Sequence, residues 1–387
     1  MSQLDEQRLL DTRAEFPTLQ NSVHLISHSL GAMPRKAREH TKNFLDMWET
    51  DSIEAWSNHW LPQMKTLGNL VAKVLGVDPG TVIMNQNVST VQAVVASCFD
   101  WSQKRNKVVY SELEFSTVHY VWQAQARRGA RVIILKSDDG MTLPLERLFD
   151  AIDEETLIVP LSHVLFRSST LQDLKAIIKR AHEVGAYVLA DCYQSAATIP
   201  LALKEWNVDF ACGGSVKWAC GGPGAAYLYV RPDLLPMMKP IDTGWFGHAE
   251  PFAFDMGEMR YASDMWRMVG GTPAIPALYS ALAGWEIVAG LSHDAVRAKS
   301  LRQTTMLRGL AEQRGFKINT PHDDVARGGT ICFDFAGSDE VAKQLNRERF
   351  FCDWRPGCGI RASPHFYTTD EEVLRFVEAV DRIRTTR

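Results

Sequence analysis

The sequence predicts an α/β protein, with a doubly wound, mainly parallel large domain followed by a smaller C-terminal α+β domain. The first observation is a set of short apolar runs at 81–84, 107–111, 131–135, 157–161, 187–190, 209–212 and 226–230. Most are continuously apolar rather than alternating, as expected of strands buried on both faces of a parallel sheet. The second is that helical stretches, such as 117–128 and 171–183, separate these runs, and Gly185 stops the latter. Strand–helix alternation of this kind builds a sheet with helices on both faces. The third is a change of pattern near residue 275. Long helical stretches at 276–289 and 295–314, the second continuing the first, lead to an apolar run at 329–335 and helices at 338–347 and from 370.

At 387 residues the chain exceeds one simple core, since a domain takes roughly 150 residues. The boundaries read from the sequence are an N-terminal segment at 1–60, a large domain at 61–275 and a small domain at 276–387. The N-terminal segment, with Trp48, Trp56 and Trp60, is expected to wrap against both lobes or a neighbouring subunit, and part of it to join the small domain.

Composition removes several functional classes. A net charge of -4 with scattered basic residues gives no patch for nucleic acid or anionic lipid. The N-terminus MSQLDEQRLLDTRAEF lacks the apolar core of a secretory signal, and no run nears the roughly 18 apolar residues of a membrane span. The seven cysteines, at 98, 192, 212, 220, 332, 352 and 358, include no CxxC pair. Reduced thiols in a cytoplasm are the expectation, with neither a disulfide framework nor a metal site.

Three features carry chemistry, and in open α/β sheets ligands lie beyond the carboxyl ends of the strands. Asp191 closes the apolar run AYVLAD, where no apolar neighbour can satisfy a buried carboxylate. It suits a cationic partner such as the protonated ring nitrogen of pyridoxal 5′-phosphate, whose ring then draws electrons from a substrate Cα. Lys217 follows DFACGGSV, in which Gly213 and Gly214 let the backbone approach a flat ligand. A desolvated lysine has a lowered pKa and offers the neutral amine needed for a Schiff base. The turn Gly221-Gly222-Pro223-Gly224 then returns the chain into AAYLYV. Singly, these features read as a helix cap, a surface charge and a turn. Their order and spacing indicate a cofactor site.

The stretch from Asp191-Cys-Tyr-Gln-Ser-Ala to Lys217-Trp-Ala-Cys-Gly-Gly-Pro-Gly-Ala resembles the fold-type-I, pyridoxal-phosphate-dependent enzymes of aminotransferase class V. Within that class it is most similar to kynureninases. Ser29-Leu-Gly-Ala-Met-Pro, Leu161-Ser-His-Val, Thr243-Gly-Trp-Phe-Gly-His248, Gly271-Thr-Pro, and Arg361 before Pro364-His-Phe-Tyr-Thr-Thr add to the likeness. It runs in order from about residue 20 to 385.

The resemblance implies that Asp191 pairs with the ring nitrogen, that Lys217 tethers the cofactor and that Phe115 stacks on its ring. Asn87, Val88 and Ser89 would face the phosphate, near a helix N-terminus that favours anions. Gln194 and Ser215 complete the implied cofactor contacts, with Trp245, and Thr272 from a partner subunit, closing the phosphate pocket. Arg361 would grip the substrate α-carboxylate by a two-pronged contact. His28, Ser29 and His248 are the further implied substrate contacts. The competing readings are a surface ion pair for Arg361, core packing for Trp245 and a structural role for His248. The resemblance also implies a homodimer with shared active sites and a small amino-acid substrate.

Several positions depart from the kynureninase pattern. Gln194 stands where His is usual, Val216 where Tyr is usual, Val118 where Asp is usual, and Leu165 replaces an Asn. The N-terminal Asp-Gly-Asn-Ser pattern appears here as Ile26-Ser-His-Ser29. Gln194 is the residue that cysteine desulfurases place beside the ring hydroxyl. The expected activity is kynureninase-like hydrolytic Cβ–Cγ cleavage of a kynurenine-type L-amino acid, with Lys217 as the base. The alternatives are transamination, epimerisation or a C–S lyase or desulfurase reaction on another amino acid, and a non-catalytic binding protein of the same fold.

Overall fold

In the computed structural model, which describes residues 2–386, the first strand is the short β1 (Val23–His24). The central sheet follows, built from β2 (Val82–Asn85), β3 (Lys107–Ser111), β4 (Arg131–Leu135), β5 (Thr156–Ser162), β6 (Tyr187–Asp191), β7 (Phe210–Gly214) and β8 (Ala226–Val230). Each begins or ends within two residues of an apolar run read from the sequence. Their spatial order is β2-β8-β7-β6-β5-β3-β4, and β8 alone runs against its neighbours. Every residue of β3, β5, β7 and β8 is buried, which explains why their sequences are apolar without alternation. The edge strand β4 is partly exposed along its length.

The order of the strands positions the site. After β3 the chain moves outward to β4, then returns to lay β5 on the other side of β3. At such a reversal the loops beyond the carboxyl ends diverge and leave a crevice. Ser111, Ser162, Asp191 and Gly214 are the last residues of β3, β5, β6 and β7.

A second, antiparallel sheet forms from β9 (Lys317–Ile318), β10 (Ile331–Asp334), β12 (Asp353–Arg355) and β13 (Gly359–Ala362), in the order β12-β13-β10-β9. Between them, β11 (Phe350–Phe351) pairs in parallel with β1 and ties the N-terminal segment to this part of the chain. Leu307, Val341, Leu345, Phe376 and Val380, from the three helices on this sheet, join Ile331 and Phe333 in one apolar cluster. The N-terminal segment also packs on the other side. Phe44, on helix Arg35–Asp51, meets Tyr279 with ring centroids 5.7 Å apart, and Trp56 meets Phe246 at 6.4 Å.

The long helical stretch from 276 is not continuous. Helices Ile275–Gly290 and His293–Glu312 meet at 90°. Ser292 breaks the run by capping the second helix, its hydroxyl accepting from the Ala295 N–H at 3.3 Å. Among the described residues no single helix is long and apolar enough to cross a membrane.

Candidate active site

Asp191 ends β6, in register with Ser162 on β5 and Cys212 on β7. It is buried, and its Oδ1 accepts one hydrogen bond, from the Tyr193 N–H at 2.9 Å. Burial pushes its carboxyl pKa up, while that N–H and the Lys217 charge oppose the rise. A cation beside this carboxylate would restore its ionised form.

Lys217 lies in the turn after β7. Its amine sits 4.2 Å from the centroid of the Tyr193 ring and 5.5 Å from that of Phe115. Desolvation lowers its pKa to about 8, with Asp191 pulling the other way and Arg361 adding to the fall. The approach beneath it is tight. A Cβ on Gly214 would lie 2.6 Å from the Tyr193 Cζ, so only glycine lets the tyrosine settle over the end of β7.

These residues border one cavity of about 220 Å³, lined by Asn87, Val88, Ser89, Phe115, Thr117, Ser162, Val164, Phe166, Asp191, Tyr193, Gln194 and Lys217. Asn87 caps helix Val88–Ser97, its Oδ1 accepting from the Thr90 N–H at 2.9 Å. The first-turn N–H groups of that helix, which have no intrahelical acceptors, provide an anion site at this end of the cavity. The Ser89 and Thr117 hydroxyls, 3.0 Å apart, flank it. Phe115 meets Phe166 edge-on at 5.2 Å. Gln194 donates to the His28 carbonyl at 3.0 Å and accepts from the Trp218 indole at 2.9 Å, which fixes its amide.

Arg361, on β13, is buried. Its Nε and Nη2 donate to the two oxygens of Asp353 at 2.8 and 2.6 Å, and its Nη1 donates to the Phe166 carbonyl at 2.7 Å. That last contact joins Arg361 to a segment whose side chain forms a wall of the cavity. His28 bonds to Asp353 Oδ1 through Nε2 at 3.0 Å and to Ser363 through Nδ1 at 2.8 Å. Desolvation and Arg361 bring its pKa down to about 4, so the ring is neutral and Nε2 carries the proton.

Seven of the residues singled out in the sequence lie outside the cavity lining: Arg361 and His28, which stand behind its Phe166 wall and Gln194, and five more. Ser215 is fully buried, its hydroxyl donating to the Ala225 carbonyl at 2.7 Å and accepting from the Trp285 indole at 2.9 Å. Trp245 is 40% exposed and stacks near Phe254. Thr272 borders a separate pocket, shared with Asn85, Gln86 and Thr90. His248 accepts from the Glu250 N–H at 3.0 Å, and Ser29 sits in a turn with its N–H on the Ile26 carbonyl at 2.9 Å. Among the departures, Val118 is fully buried and Val216 turns its carbonyl to the Gly31 N–H at 2.8 Å.

Sequence reasoning missed Tyr193, Phe166, Thr117, Ser162, Val164 and Asp353. Tyr193 was open to inference, because it stands two residues after a strand-end carboxylate. Phe166 and Asp353 come from loop and edge positions that carry no periodic signal.

An amine against two aromatic rings, a carboxylate at a strand end and a helix N-terminus together fit an aromatic aldehyde that bears a ring nitrogen and a phosphate. Fold and site define a pyridoxal-phosphate-dependent enzyme. The family model described as "Aminotransferase class-V" matches residues 33–376, and the chain belongs to that family. It is 31% identical over 373 residues to the uncharacterized aminotransferase YcbU of Bacillus subtilis, covering 95% of this chain and 96% of that protein. It is 30% identical over 391 residues to a kynureninase of Bacillus thuringiensis, covering 97% and 91%. Among solved structures, the cysteine desulfurase of Thermococcus onnurineus superposes with a TM-score of 0.85 at 16% identity, covering 97% of this chain and 98% of that one. That likeness establishes the fold.

Proposed function

We propose that this enzyme performs kynureninase-like hydrolytic Cβ–Cγ cleavage of an L-amino acid with an aryl-ketone side chain. The observation that carries the reading is the 30% identity to a kynureninase over nearly the whole of both chains. The arrangement of the cavity agrees with it. When bound, pyridoxal phosphate supplies an aldehyde for the substrate amine and a ring that accepts electrons from Cα.

The remaining chemistry falls to the chain's own residues. The start of helix Val88–Ser97, with Asn87 and Ser89, would hold the phosphate. Phe115 and Tyr193, whose rings face the Lys217 amine, would cover the bound ring and keep water from it. Asp191 keeps the ring nitrogen protonated across a water-poor site, where its charge acts strongly. Lys217, with its pKa near 8, is partly neutral near pH 7 and would be the base that takes the proton from the substrate Cα. Arg361 holds the α-carboxylate. Water adds to the side-chain carbonyl, the Cβ–Cγ bond breaks, and the products are an aryl carboxylate and alanine.

Purified holoenzyme is expected to release anthranilate and alanine in equal amounts from kynurenine, or the matching pair from a ring-substituted analogue. Release of neither would remove this reading. The second reading, transamination or C–S cleavage, draws on Val216 and Gln194 and on the name given to YcbU. It predicts conversion of the cofactor to its amine form by amino donors, or release of sulfide and a keto acid. A persulfide route is disfavoured, because no cysteine borders the cavity among the described residues.

We also propose a cytoplasmic homodimer with shared sites. Trp245 and Thr272 lie away from their own chain's cavity, and the neighbouring Phe252 and Phe254 are 56% and 70% exposed. A partner covering this aromatic surface would account for both. Light scattering at twice the chain mass is the expected result, and a monomer at micromolar concentration would contradict it.

A further inference from the structure

We infer that Asp353 is a positioning residue, which aims the remaining free edge of Arg361 at the substrate carboxylate. The inference rests on the proposed amino-acid reaction and deepens it. An arginine side chain has five N–H donors in a rigid plane. Three are committed here: Nε and one on Nη2 to Asp353, and one on Nη1 to the Phe166 carbonyl. One N–H remains on each terminal nitrogen. Those two are the donors of a second carboxylate contact on the edge away from Asp353.

Asp353 is itself held from behind. Its Oδ1 accepts from both Arg361 and His28, and Oδ2 from Arg361, with the half-exposed Arg355 3.0 Å away. Burial favours the neutral acid, but the hydrogen bonds from His28 and Arg361 keep its pKa well below the usual carboxylate range. His28 is anchored by Ser363, so the guanidinium is clamped through a chain of buried groups. A clamped arginine loses little freedom when a carboxylate binds. The same clamp leaves one N–H on each terminal nitrogen for a carboxylate. The site is therefore selective for the α-carboxylate of an amino acid over the bare amine.

The test compares binding of L-alanine with that of ethylamine, which lacks the carboxylate, through the cofactor absorbance of holoenzyme. Arg361→Ala is expected to abolish the preference for alanine. If the preference survives in that variant, Arg361 does not bind the carboxylate and the assignment of its role in the proposed reaction fails. If it is lost there, Asp353→Ala and the near-isosteric Asp353→Asn decide the inference. Both are expected to cut the preference about tenfold, with ethylamine binding unchanged, and Asp353→Glu is expected to recover part of it. Asp353→Asn keeps the test open should the alanine variant fail to fold. An unchanged or larger preference in the Asp353 variants would overturn the inference.

Discussion

The amine of Lys217 rests 4.2 Å from the centre of the Tyr193 ring. The backbone N–H of that same tyrosine bonds to Asp191, so one residue touches both groups to which the proposed chemistry is assigned. Tyr193 also has its hydroxyl pKa raised by burial and by Asp191, and so remains protonated. Replacing it by alanine is expected to weaken cofactor binding about threefold to tenfold, the usual worth of a lost aromatic stack. Tyr193→Phe should stay within about twofold of the parent, because the ring and not the hydroxyl makes the contact. Equilibrium dialysis with pyridoxal phosphate measures both.

The acidity of Lys217 sets a pH dependence for cofactor uptake. Burial lowers its pKa to about 8, so the amine is charged below that pH and neutral above it. Only the neutral amine attacks an aldehyde. The rate at which apoenzyme forms its visible absorbance band should rise as pH passes through about 8, then level off. The linkage has the same sign. The unfolded chain holds this proton up to the ordinary lysine value of 10.5, so apoenzyme stability also gains as pH climbs from about 8 towards that value.

Glu114 gives the opposite sign. Burial lifts its carboxyl pKa to about 7, against hydrogen bonds from the Ser162 N–H and the Ser111 hydroxyl. The folded state then holds the proton more tightly than the unfolded chain, so this group's contribution to stability is lost as pH rises from about 4.5 through 7. Glu114→Gln should flatten that part of the Tm-against-pH curve. An unchanged slope would mean that another group titrates.

Gly31 approaches the turn that carries Lys217 closely. A Cβ there would enter the van der Waals shell of the Lys217 carbonyl oxygen and lie 2.8 Å from Cys220 Cα. Both neighbours are backbone and cannot swing aside. Gly31→Ala is expected to cost about 1–3 kcal/mol and to displace Lys217. Denaturant midpoint and cofactor occupancy should fall together.

The parts of this molecule that were legible are those where local pattern and tertiary environment agree. The inner strands of the sheet could be read because both sheet faces are buried there, which forces continuous apolar runs such as YVLAD at 187–191. Asp191 and Lys217 stood out as charges placed against that apolar background. Asp353 gave no such contrast. It lies in a three-residue strand between Cys352 and Trp354, and its importance comes from Arg361 eight residues later and His28 far away in sequence. Phe166 likewise reaches the cavity only through the return of its loop onto β13. Ser215 shows the converse case: its hydroxyl stands next to the turn that carries Lys217, yet in the fold it bonds to the Ala225 carbonyl and the Trp285 indole. The break at Ser292 was hidden for a third reason: helical periodicity persists on both sides, and only the cap shows where the axis turns.

The account depends on Lys217 carrying the cofactor, and reduction of holoenzyme with borohydride followed by peptide mapping measures that directly. The predicted result is a stable phosphopyridoxyl mass increment on the peptide containing Lys217, absent from Lys217→Ala. An increment on another lysine, or none in holoenzyme that retains its visible band, would contradict it.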